Sequence, residues 1–212
     1  MKKTALIAAA ALIAAGCSIT KMHSQRKDPN AYANPFYARY LNTGSGIDAS
    51  IQRDIEALRA NPNSAVTHND LGQLLIQKGF PKDAEVEFER AVNADRRFYP
   101  AWYNLGLARA ARGDTIGARF AFDRTLFYKP GDSWAHFQAG LLAENRGDME
   151  GAIDHYAKAI LRNHTILDVK VNPRVLDSKL IHLALIRAYP NEHGRDTMGF
   201  QGTPPGYTQP KP

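Results

Sequence analysis

The sequence predicts an all-α protein: a solenoid of helix–turn–helix hairpins closed by a C-terminal capping helix. Three observations predict it. Glycines recur at a fixed interval of 34 residues, at Gly72, Gly106 and Gly140 and again at Gly79, Gly113 and Gly147. Between them, apolar residues fall at helical spacing, without the strict alternation of strands. The third observation is a set of small and aromatic positions that keep the same register: Ala84, Ala118 and Ala152, then Phe88, Phe122 and Tyr156. Self-similarity at such a period signals stacked supersecondary units rather than a ligand loop.

The chain starts with a segment of another kind. Lys2 and Lys3 precede an eleven-residue apolar run, Ala5 to Ala15, which is followed by Gly16 and Cys17. The run is too short for a bilayer span of about 20 residues and fits a secretory h-region. Small residues before a cysteine resemble the lipobox of bacterial lipoproteins, although Ala14 stands where that family usually has leucine. The resemblance implies a signal peptide over residues 1–16 and a lipid at Cys17, with an ordinary cleaved signal or an uncleaved anchor as alternatives. Ser18 after the cysteine resembles outer-membrane sorting in Gram-negative lipoproteins. Cys17 is the sole cysteine, so the disulfides of many exported domains are not available.

Formal net charge is +6, and loss of Lys2 and Lys3 leaves about +4. Basic residues are scattered among acidic ones, with no stripe of the kind that tracks a phosphate backbone; nucleic acid is not an expected partner. Residues 17–45 read as the lipidated N-terminus and a tether. The tether's second half carries Tyr32, Phe36, Tyr37 and Tyr40, and Pro35 suits the start of a short helix whose rings pack on the first repeat. Residues 46–64 read as a degenerate leading half-repeat. Its helix, residues 47–60, has Ile47, Ile51, Ile55 and Leu58 on one face, with Asp48 as N-cap.

Three units follow: residues 65–98, 99–132 and 133–166. They resemble the tetratricopeptide repeat, a 34-residue helix–turn–helix unit, over about half the chain. The resemblance implies a right-handed superhelix. The departures are at position four, tryptophan at Trp102 but His68 and His136 elsewhere, and at position thirty-two, where Pro130 is matched by Arg96 and His164. Glycine at position eight and alanine at position twenty let the paired helices approach closely. The aromatic at position twenty-four fills the space between one hairpin and the next. Gly79, Gly113 and Gly147 take positive φ and end the first helix. Asp114 and Asp148 cap the second, which in the first unit starts instead at Pro81.

Residues 167–190 read as the cap, with a helix from Pro173 to about Ala188. The run Leu180 to Ile186 is more apolar than a one-sided cap needs. It is either buried on two sides or displays a patch. Residues 191–212, rich in proline and glycine, read as a flexible tail.

No catalytic constellation emerges. The chain has no HExxH, CxxC, phosphate loop or nucleophile elbow, so an enzyme, a cofactor and a metal site are not expected. Binding is the expected activity. In the tetratricopeptide family the first helices line a concave groove, which by resemblance assigns Asn69, Gln73, Tyr103, Asn104, Leu107, Trp134, Phe137, Gln138 and Leu141 to a peptide-binding surface. Tyr103, Trp134 and Phe137 are alternatively covered by neighbouring helices. The carboxylate clamp of the chaperone-binding subclass is matched only at Asn104; Asn69, Gln73, Trp134 and Gln138 replace its other residues. The expectation is a membrane-anchored, monomeric adaptor for envelope proteins, facing the periplasm from the outer membrane in a Gram-negative host. The alternative is a constitutive subunit of an envelope assembly or secretion or pilus machine, with no free groove.

Overall fold

The computed structural model describes residues 35–41 and 46–190. The signal segment, Cys17, Tyr32 and the tail 191–212 lie outside the described residues. A 3-10 turn, Pro35–Tyr40, leads into α1 (Gly46–Ala60). Three hairpins follow: α2 (Ala65–Gln77) with α3 (Pro81–Ala94), α4 (Tyr99–Ala111) with α5 (Thr115–Tyr128), and α6 (Ser133–Asn145) with α7 (Met149–Arg162). Two further 3-10 turns, His164–Leu167 and Pro173–Val175, precede α8 (Lys179–Ala188). No strand occurs among the described residues. The helices pack in chain order, and the first helices α2 and α4 also touch.

Each hairpin is held by one repeated contact. A Cβ built on Gly72, Gly106 or Gly140 would lie 2.5, 2.6 or 2.6 Å from the ring of Phe88, Phe122 or Tyr156. The aromatic at position twenty-four thus lies on the glycine of its own hairpin and also packs toward the next one, as expected: Phe122 shares a cluster with Leu142 of α6, and Phe88 with Ala101 and Leu105 of α4. Glycine is required because a side chain would occupy the ring's volume. Between the two helices, Gly79, Gly113 and Gly147 take φ of +82°, +84° and +80°, the left-handed value that closes a helix at low cost only for glycine. Asp114 and Asp148 then accept from the N–H of Gly117 and Gly151, each at 2.9 Å. Ser64 and Asp132 cap α2 and α6 in the same way.

Position four is a shared device rather than a departure. The ring nitrogen of His68, Trp102 and His136 lies 3.1, 2.8 and 3.0 Å from the carbonyl oxygen of Pro62, Arg96 and Pro130. In each unit the donor ties its helix to the loop carbonyl six residues earlier, so histidine substitutes for tryptophan because both offer a ring N–H.

The N-terminal turn docks on the first unit, as expected for its aromatic residues. Tyr40 meets Phe80 edge-on at 4.9 Å. The Tyr37 hydroxyl donates to Glu87 at 3.1 Å, and Arg39 pairs with Asp83 at 2.8 Å. Asp48 is not an N-cap. The helix already starts at Gly46, which places Asp48 in its first turn, buried and paired with Lys78. At the other end the capping helix starts later than expected, at Lys179 instead of Pro173. Ser178 accepts from the Ile181 N–H and sets that boundary. The helix is buried on one side only: Ile181 and Ala184 pack with α7, while Leu183 and Ile186 stay 48% and 49% exposed. Two-sided burial of the apolar run does not occur.

Candidate functional site

The inner row of first helices carries the residues assigned to recognition, and packing divides them. Asn69 is buried and accepts from the Asn104 amide at 2.7 Å. The Tyr103 hydroxyl faces the Gln138 side chain, which acts on it. Both contacts join position five of one unit to position six of the next, 35 residues on. Four of the nine candidates are therefore engaged with one another between hairpins. Burial, with Gln138 acting in the opposite sense, pushes the Tyr103 hydroxyl above its ordinary range. Phe137 is buried against Tyr156 with ring centroids 5.3 Å apart, so it is core.

What faces outward on this side is Gln73, which is exposed, with Leu107, Trp134 and Leu141 half-buried. Leu107 packs with the cluster of Ala118, Phe122 and Leu142. Trp134 and Leu141 back onto the cluster that contains Tyr156 and Ile181 of the capping helix. The Trp134 ring stands edge-on to Phe137 at 5.9 Å. This leaves exposed Gln73, Val66 and Ile76 at the first unit and an apolar floor at the third.

A second group lies behind this row. The position four histidine meets position twenty-three on the partner helix. In the first unit both ring nitrogens of His68 face acceptors, the Pro62 carbonyl and Glu87 Oε2, the latter at 2.7 Å. In the third unit His136 Nδ1 instead faces His155 Nδ1 at 3.2 Å. Since His136 Nε2 donates to Pro130, its Nδ1 accepts from His155 in the neutral pair. Burial holds both imidazoles below their ordinary range, with Lys158 and Arg162 adding to this at His136 and Lys158 at His155. Asp154, Asp123 and Asp148 oppose the shift at His155. A cleft lined by Arg119, Asp123, Leu142, Arg146, Asp148 and His155 opens beside the pair. No group of three or more His, Cys, Asp or Glu that could hold a metal occurs among the described residues.

The linkage sign follows from these shifts. Unfolded histidines bind protons below about pH 6.5, where the folded pair still resists them, so the unfolded state gains protons first. Stability is full above that pH and falls as pH drops through the window below it. Thermal melts between pH 7.5 and 5 should show this loss. His155→Gln should flatten it, and an unchanged slope would remove the pair as its source.

No family model matches the chain. Among curated proteins it is 30% identical over 76 residues to anaphase-promoting complex subunit 3 of Schizosaccharomyces pombe, a match covering 36% of this chain and 11% of that protein. The chain thus spans about a tenth of that relative's length. Among solved structures, a crystal structure of MamA superposes with a TM-score of 0.54 at 22% identity, covering 72% of this chain and 94% of that one. A partial MamA from Desulfovibrio magneticus RS-1 gives 0.54 at 19% identity, covering 80% and 97%. These likenesses concern the stacked-hairpin fold. Among the described residues no helix is long and apolar enough to cross a membrane.

Proposed function

We propose, from the premise that the chain has the tetratricopeptide fold, that it is a non-catalytic adaptor that binds peptide or helical segments of envelope proteins along its first helices. The observation that carries this reading is the surface left over once internal bonds are counted: exposed Gln73 leading to the half-buried Leu107, Trp134 and Leu141. Solenoids use such extended inner surfaces for binding, and an aromatic anchor beside side-chain amides suits a short segment. The proposal includes a lipid at Cys17, supported by the basic, apolar and small-residue sequence before it. That anchor places the adaptor in the cell envelope, at the outer membrane if the host is Gram-negative.

A specific observation favours the second reading, a constitutive subunit of an envelope machine. The amides of Asn69 and Asn104 are already engaged with each other, which reduces the polar groups open to a ligand.

Photo-crosslinking in the native host tests the groove. A crosslinker at Gln73 should trap a discrete protein, and one at Asn93, exposed on α3, should not. Trp134→Ala should lower that yield severalfold with helical content unchanged. Equal trapping at both positions would sink the groove. Co-purification of one stoichiometric complex, insensitive to Trp134→Ala, supports the subunit reading instead. Cys17→Ser should move the protein from the membrane to the soluble fraction; unchanged fractionation would remove the anchor.

A further inference from the structure

The outward face of the second helix differs sharply among the three units. Positions eighteen, twenty-two and twenty-nine are Lys82, Val86 and Asn93 on α3, and Glu150, Asp154 and Leu161 on α7. On α5 they are Ile116, Phe120 and Phe127, which are 84%, 54% and 68% exposed. The opposite face of α5 is buried through Ala118, Ala121, Phe122 and Thr125. The helix is therefore apolar on both sides, the pattern of a helix covered on both. Arg124 stiffens the outer stripe, its guanidinium lying 5.0 and 4.9 Å from the rings of Phe127 and Tyr128. Phe120 is held edge-on by Trp102 at 5.8 Å.

The charges on this face identify its occupant. Arg119 and Asp123 flank the stripe on one edge, 3.7 Å apart and more than half exposed. Their midpoint is residue 121. The apolar ends Ile116 and Phe127 have their midpoint between residues 121 and 122. An antiparallel second copy of α5, related by a two-fold axis at that midpoint, brings Ile116 onto Phe127 and Arg119 onto Asp123, each twice. A two-fold interface needs such self-complementarity.

We propose that the chain forms a two-fold homodimer through the outer faces of α5, with reciprocal Arg119–Asp123 ion pairs framing an Ile116–Phe120–Phe127 seam. The stripe from residue 116 to 127 is about 17 Å long, short for a standard interface, so the association is reversible and in exchange. It departs from the monomer expected from sequence, and it leaves the inner row of first helices open on both copies.

Sedimentation velocity of the full chain over a concentration series tests the interface. The wild type should shift from monomer to dimer as concentration rises. Arg119→Asp and Asp123→Arg should each weaken self-association by at least about tenfold, because like charges then face each other across the axis. The decisive sample is the two variants mixed one to one. The first carries two acids and the second two bases at these sites, so a heterodimer forms although neither variant self-associates. An ion pair acting only within one helix predicts no such recovery. Phe120→Asp should abolish the dimer with the melting temperature little changed. A wild type that stays monomeric throughout, or a mixture that stays monomeric, overturns the proposal. So does a stripe that binds phospholipid vesicles in place of a second copy.

Discussion

Phe122→Ala is expected to lower the unfolding free energy by about 3–5 kcal/mol, the range for emptying a buried aromatic site. At about 2–4 °C per kcal/mol for a chain of this size, the melting temperature should fall by roughly 6–20 °C. The reason is local. Phe122 is fully buried and lies on the bare backbone of Gly106, where an added Cβ would come within 2.6 Å of its ring. The partner variant shows the same lock from the other side. Gly106→Leu alone should destabilise, because the ring already occupies the volume, and overpacking of this kind costs about 1–3 kcal/mol. The double variant Gly106→Leu, Phe122→Ala should recover part of the loss, since leucine fills the vacated space. Strict additivity of the two in thermal or chemical denaturation would show that the glycine and the ring are not coupled.

Glu87→Ala carries the second large expected effect, also about 3–5 kcal/mol, the range for removing one member of a buried charged network. The Glu87 carboxylate is 3% exposed as a residue. It accepts from the Tyr37 hydroxyl at 3.1 Å, from His68 at 2.7 Å and from Arg90 at 2.6 Å. Its removal withdraws the acceptor from three groups at once, and one of them belongs to the N-terminal turn. Amide exchange at residues 37–40 should therefore accelerate more than exchange in α6 and α7. Uniform acceleration across the chain, or none at the turn, would show that Glu87 does not hold this segment.

The repeat fold was legible because its determinants are spaced in sequence as they are in space. Glycine at positions eight and fifteen and aspartate at sixteen act within one hairpin, so their spacing alone locates turn, cap and contact. The candidate site was only partly legible. Positions five and six both face the inner row, but whether an amide there meets a ligand or the next unit depends on an offset of one residue between units. Asn69 with Asn104 and Tyr103 with Gln138 share that offset, and a search for polar pairs 35 residues apart finds both. Phe137, assigned by resemblance to the groove or else to a covered position, takes the covered one, because Tyr156 lies against it. The stripe on α5 was visible in the sequence too, since only the second unit places Ile and two Phe where the others place mostly polar residues. The start of the capping helix was not, because Val175 and Leu176 continue the apolar spacing and only the Ser178 cap interrupts it.

The two offset contacts have a mechanical consequence. Within a hairpin the ring-on-glycine lock spans the middle of both helices and leaves little play. Between hairpins on the inner side, the described polar ties are single: one amide to its neighbour, then one phenol to a glutamine. The curvature of the inner surface is set by these ties together with the apolar packing of α3 on α4 and of α5 on α6, so Asn104 and Gln138 are the polar positions at which a substitution would alter its radius.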